Sequence, residues 1–150
     1  MSNVSEIGLT SLLYVSRSTL DVNGDQASVG EIVSEAIERN KLLLVTGALF
    51  YTGLHFAQFL EGPRRSVESL MASISKDTRH HHVTVVAHKQ VPRRRFPEWA
   101  MAYAGSNPFL DRQMKALLSP LTAEPERCRL MSELGEDAER RLGAAALQGR

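Results

Sequence analysis

Dense apolar runs and stretches with an apolar residue every third or fourth position trade places along this chain in a regular order. Leu9, Leu12, Leu13, Tyr14 and Val15 crowd one short segment, which predicts a strand over 7–16. Turn chemistry over 21–27, around Asn23-Gly24-Asp25, follows. Ser28 reads as an N-cap with Glu31 completing a capping box, and Val29, Ile32, Val33, Ala36 and Ile37 form the stripe of a helix. Strands are expected over 42–51 and 54–61, joined at Thr52-Gly53 as a hairpin. Gly62-Pro63 opens a second helix with Val67, Leu70, Met71 and Ile74 on its apolar side, proline serving as its first residue. A fourth strand over 83–87 and a fifth over 96–103 complete the order β-α-β-β-α-β-β.

That order predicts an α+β, ferredoxin-like sheet with both helices on one face. Asn107-Pro108 breaks the pattern. A short helix over 109–118 then carries Leu110, Met114, Leu117 and Leu118, and a last helix over about 124–142 is expected to be interrupted at Gly135. The expected organisation is one domain over 7–104, a C-terminal helical extension over 105–143 packing on the sheet, and a disordered tail over 144–150.

Composition narrows the class. The 150 residues carry 18 Lys plus Arg against 17 Asp plus Glu, a net charge of +1, so no nucleic-acid or membrane footprint is expected. The single cysteine, Cys128, allows no intrachain disulfide and fits a reducing compartment. No apolar run reaches membrane-span length and no signal peptide is evident, which makes the cytoplasm the expected location.

Three polar residues sit on apolar patterns. Asn40 extends the stripe of the first helix, where its amide either faces the core or closes the helix in a left-handed conformation. Gln58 shares a strand face with Leu54, Phe56 and Leu60, and reads alone as a solvated sheet rim. Tyr14 lies inside an apolar strand, where a tyrosine hydroxyl finds a partner. If the three converge, they line an apolar pocket of the kind that holds a flat heteroaromatic ligand.

The motifs Leu13-Tyr14-Val15-Ser16, Ala36-Ile37-Glu38-Arg39-Asn40, Val45-Thr46-Gly47-Ala48-Leu49, Phe56-Ala57-Gln58-Phe59-Leu60-Glu61-Gly62, Lys76-Asp77-Thr78-Arg79-His80 and Arg94-Arg95-Phe96-Pro97-Glu98-Trp99-Ala100-Met101 resemble, in order, the BLUF family of blue-light sensors. The resemblance runs from about Leu9 to about Tyr103. It implies a ferredoxin-like fold holding a flavin non-covalently between the two helices, FAD in the first instance, with FMN or riboflavin as alternatives. It assigns Tyr14 and Gln58 as the photoactive pair, with Met101 and Trp99 as the signalling residues of the fifth strand. It implies flavin contacts from Asn40, Gln58, Arg39, Ile32, Val45, Phe56, Asp77, Arg79 and His80. Arg39 departs from the family, which more often carries an amide or a histidine there.

On this resemblance the chain is a photoreceptor and not an enzyme, with no catalytic residue and no metal. The Tyr14–Gln58–flavin triad would rearrange its hydrogen bonds in light, and the signal would pass through the fifth strand and the C-terminal helices to a partner protein or to a change of oligomer, by default a dimer. Met101 and Trp99 would share one face of that strand by alternation. Two alternatives stand on the same fold: an acylphosphatase-like hydrolase using Asn40 and an arginine, and an interaction module without flavin. His80-His81-His82 would bind one metal ion poorly, because neighbours on a strand point to opposite faces. Arg93-Arg94-Arg95 reads as a solvated edge or a partner contact, and Cys128 as an inert thiol.

Overall fold

In a computed structural model, described over residues 8–20, 26–104 and 110–147, the elements run in chain order as β1 (Leu9–Ser18), α1 (Gln26–Leu43), β2 (Thr46–Tyr51), β3 (His55–Pro63), α2 (Arg64–Lys76), β4 (His80–Gln90), β5 (Ala102–Tyr103), α3 (Leu110–Leu118) and α4 (Glu124–Leu147). The five strands form one sheet in the order β4-β1-β3-β2-β5, the ferredoxin-like arrangement that the element order predicts. Strand β3 lies between β1 and β2 and is antiparallel to both. Its register places Gln58 directly between Tyr14 and Leu49, so the three side chains share one face. Of the turn expected over 21–27, residues 21–25 lie outside the described residues and 26–27 already belong to α1, and the break at 107–108 also lies outside them.

Both faces of the sheet are covered. Leu12, Tyr14, Leu49, Phe56 and Leu60 pack with Val29 and Ala36 of α1 and Val67, Leu70 and Ile74 of α2. On the other side Leu13, Val15, Phe50, Ala57 and Phe59 pack with Met114 and Leu117 of α3 and Leu130, Leu134 and Ala138 of α4. This double burial explains the unbroken apolar runs of β1, β2 and β3. The C-terminal helices therefore cover the face opposite α1 and α2. Asp111 of α3 ties the extension to the β2–β3 turn, accepting from Thr52 Oγ1 and meeting His55 Nδ1, each at 2.6 Å. No described helix is long and apolar enough to cross a membrane.

Element boundaries depart from the sequence pattern where apolar residues do not report burial. Helix α1 already includes Gln26, so Ser28 lies inside it and is not its N-cap. It also runs past Asn40 to Leu43, and the left-handed residue is Leu44, at φ 61°. Leu42 and Leu44 are 86% and 67% exposed, so their apolarity belongs to no strand, and β2 starts at Thr46. Pro63 precedes α2 as its cap residue instead of opening its first turn. Strand β4 extends well beyond 83–87, to His80 and Gln90, because pairing with β1 continues there.

The fifth strand shrinks to Ala102–Tyr103, parallel to β2. Pro97 cannot donate to a ladder, and the N–H groups of Arg95 and Phe96 go instead to the Glu61 carboxylate, at 2.6 and 2.8 Å. Helix α4 passes through Gly135 without interruption and continues to Leu147, beyond the expected end near 142 and into the tail expected to be disordered.

Candidate functional site

Helix α1 presents Ile32, Glu35, Ala36 and Arg39, spaced one turn apart, toward Tyr14, Phe56, Gln58 and Leu49 on the sheet. Ile74 of α2, Asp77 and Arg79 from the link that follows it, and His80 at the start of β4 close the far side. Together they line a narrow cleft of about 450 Å³ of atom-free space, solvent at its mouth included.

Tyr14 and Gln58 form the floor. The Tyr14 hydroxyl donates to Gln58 Oε1 at 2.5 Å, and Gln58 Nε2 donates to Met101 Sδ at 3.4 Å. Burial pushes the Tyr14 phenol far above its ordinary pKa, with the Arg39 charge opposing and Asp77 adding to the rise. The phenol therefore keeps its proton and donates it to the amide oxygen, while the amide nitrogen faces sulfur.

His80 stands beside them. Its Nε2 contacts the Ile74 carbonyl at 2.7 Å and its Nδ1 the Ser16 hydroxyl at 2.7 Å. A carbonyl only accepts, so Nε2 carries a proton. The His80 ring meets Phe56 and Tyr14 edge-on, at centroid distances of 6.1 and 5.9 Å.

At the mouth, Arg79 holds Asp77 through Nη2–Oδ2 at 2.6 Å and Nε–Oδ1 at 2.9 Å, and reaches across the cleft to Glu35 at 3.0 Å. The hydrogen bond from Arg79 depresses the Asp77 carboxyl to about 2, against a smaller opposing effect of burial.

The structure brings Tyr14, Gln58, Phe56, Ile32, Arg39, Asp77, Arg79 and His80 to one cleft. Asn40 lies in the wall behind it, fully buried, with Nδ2 donating to the Ala100 carbonyl at 2.8 Å. The reading of Asn40 as a left-handed helix closure does not hold. Val45 packs into the same core cluster without lining the cleft. Met101 is buried against Gln58, whereas Trp99 packs against the cluster on the opposite side of the sheet. The expected shared strand face fails because neither residue is in a strand, so alternation does not apply.

Glu35, Ala36, Leu49 and Ile74 line the cleft and were not foreseen. The i, i+3, i+4, i+7 spacing of Ile32, Glu35, Ala36 and Arg39 is the signal that could have found the first two.

Outside the cleft, His82 takes φ 55° at an irregularity in the β1–β4 register, and this turns the His81 and His82 rings together through their Nδ1 atoms. Strand alternation is therefore not what governs that pair. Among the described residues no group of three or more His, Cys, Asp or Glu is placed to hold a metal. Arg94 is no solvated edge, since it donates to Thr46 Oγ1, the Glu61 carbonyl and the Leu44 carbonyl at 2.9, 3.1 and 3.0 Å.

Arg39 Nε, a donor on a residue that lines the cleft, is buried without a partner, and so is Asn40 Oδ1, an acceptor on a residue behind it. Arg39 and the Gln58 amide supply donor and acceptor capacity around an apolar slot. A flavin ring edge, bearing carbonyl acceptors and an N–H donor, matches that set.

The family profile described as "BLUF: Sensors of blue-light using FAD" matches residues 9–102. The blue light- and temperature-regulated antirepressor BluF of Escherichia coli K12 is 37% identical over 93 residues, covering 62% of this chain and 23% of that protein. Photoactivated adenylate cyclase subunit beta of Euglena longa is 32% identical over 105 residues, 69% of this chain and 12% of its own length. The chain thus spans less than a quarter of either relative. The dark-state structure of the BLUF protein BlrB superposes with a TM-score of 0.72 at 32% identity, covering 89% of this chain and 96% of that one.

Proposed function

The chain belongs to the BLUF family of blue-light sensors using FAD, and from that premise we propose that Tyr14 and Gln58 are its photoactive pair, acting on a flavin bound in the cleft. The observation that carries this reading is the buried Tyr14 hydroxyl, donating at 2.5 Å to an amide whose other end contacts Met101. FAD is the proposed form, with its ring edge held by Arg39 Nε and Gln58 and with Asn40 supporting them from the wall behind. Phe56, Ile32 and Leu49 would provide apolar walls. Asp77 and Arg79 at the mouth would meet the ribityl chain or its phosphate.

Bound flavin supplies a blue absorption band and, once excited, a strong one-electron acceptor. With flavin bound, Tyr14, an oxidisable side chain of the cleft floor, would be the electron donor, and its proton would have the short bond to Gln58 Oε1 as its path out and back. After the electron and proton returned to Tyr14, Gln58 would be left rotated or as a tautomer, its N–H withdrawn from Met101 Sδ and free to face a ring carbonyl, which would shift the absorption to the red. One such hydrogen bond is worth about 0.5–1.5 kcal/mol net, so the element that responds has to be close to balance already.

The output is a conformational signal, with no substrate turned over in this domain. It would pass to a partner protein or, where a second copy joins, to a change of oligomer. The protein acts from the cytoplasm on this reading.

The test is spectroscopic. The wild-type protein is expected to purify yellow and to show a reversible red shift under blue light. Tyr14→Phe is expected to keep the flavin and lose the shift, and Gln58→Leu to do the same. A normal photocycle in Tyr14→Phe would overturn the assignment. A colourless protein that takes up no added flavin would overturn the function.

A further inference from the structure

The segment between β4 and β5 has almost no ladder hydrogen bonds, yet it is fixed at both ends: at its start by Glu61, on the face of β3 that carries Phe59, and at its end by Asn40 and Gln58 on the cleft side. At its start, the 3%-exposed Glu61, three residues beyond Gln58 on β3, accepts from Arg95 N at 2.6 Å and Phe96 N at 2.8 Å. At its end, the Ala100 carbonyl accepts from Asn40 at 2.8 Å, and Met101 Sδ lies 3.4 Å from Gln58 Nε2.

The Arg95 side chain leaves this segment away from the cleft, on the face that Glu61 and Phe59 share. Its guanidinium lies 5.9 Å from the centroid of Phe59, on the far face of the sheet. Its Nε is 3.3 Å from Glu139 of α4. Its Nη1 occupies the place beside Gly135 where a Cβ would stand, at 1.7 Å. A glycine in mid-helix costs helix stability, and in return this one seats a planar cation against the backbone of α4.

We propose that Arg95 is the positioning residue that couples the photoactive site to helix α4. Rotation of the Gln58 amide removes the Met101 contact at one end of the segment. The segment shifts on its Glu61 anchor, and Arg95 carries the displacement to the Gly135–Glu139 stretch of α4. This rests on the photoreceptor reading above.

The experiment follows hydrogen exchange of α4 amides in dark and in light, recording the flavin spectrum on the same samples of full-length wild type, Arg95→Gln, Gly135→Ala and the double variant. Wild-type α4 is expected to change its exchange on illumination. Each single variant is expected to keep the reversible red shift while the light-induced change in α4 falls about fivefold or more, the scale of one lost contact in an equilibrium. The double variant is expected to lose no more than either single one, because both break the same contact. Glu139→Gln, which leaves the guanidinium seated at Gly135, is expected to keep most of the response. A pin with no signalling role would lower stability without changing the light-minus-dark difference.

An undiminished α4 response in Arg95→Gln overturns the proposal even if Gly135→Ala folds poorly. So does a wild-type α4 that stays unchanged while the flavin shifts. A wild type with no spectral shift would instead remove the photoreceptor reading, and the coupling with it.

Discussion

Gln58 has two polar ends and the structure gives each a different neighbour. The phenol at one end holds its proton because burial denies it the charged form, and it donates to the amide oxygen. Sulfur is a weak acceptor, so the bond from Gln58 Nε2 to Met101 is the easier of the two to exchange. Met101→Ala therefore tests the resting orientation of the amide. Loss of a buried methionine is expected to cost about 2–5 kcal/mol, read from denaturant midpoints, and the dark recovery of the red-shifted form is expected to change rate because Gln58 has lost its return contact. Trp99→Phe, on the opposite side of the sheet, is expected to leave recovery within about twofold, the scale of a substitution far from the pair. Equal effects of the two variants would contradict this placement. Each of these residue types could be picked out of the chain beforehand; which of Met101 and Trp99 touches Gln58 could not, because Pro97 and the Glu61 clamp break the alternation on which that judgement rested.

At the scale of elements, the central three strands bring the pair together. The β1–β3 register sets Tyr14 against Gln58 and the β2–β3 hairpin sets Leu49 beside it; a slip of one residue would move Gln58 to the face covered by α3 and α4. Gly47 guards this register, since a Cβ there would fall 1.8 Å from the Phe59 carbonyl oxygen. Gly47→Ala is expected to destabilise by about 3 kcal/mol or more, lowering the thermal midpoint and flavin retention together. An unchanged midpoint would show that β2 can move aside. The helix α1 stripe was readable from its spacing, and so was its contribution to the cleft. Its end was not, because Leu42 and Leu44 are apolar residues in water and carry the same pattern signal as buried ones.

For the whole molecule, the sheet has two covers with separate tasks: α1 and α2 enclose the cleft, while α3 and α4 cover the other face. Burying Leu130, Leu134 and Leu142 alone accounts for roughly 5–9 kcal/mol of apolar transfer, comparable to the net stability of an ordinary domain. A chain ending after residue 122 is therefore expected to aggregate or to lose its cooperative melting transition by circular dichroism. A truncated monomer with an unchanged melting point would show the cover to be dispensable. What the sequence by itself determined is the order of strands and helices, their two-sided burial and the residue types of the cleft, because periodicity and motif are local properties of the chain. Tertiary structure alone decided which way the Gln58 amide points, that Asn40 sits in the wall behind the cleft, that the fifth strand is two residues long, and that Arg95 lies against Gly135. Each of these depends on a partner tens of residues away, such as Glu61 for the segment before β5 or the Arg95 guanidinium for the glycine of α4, and no local pattern encodes a contact at that separation.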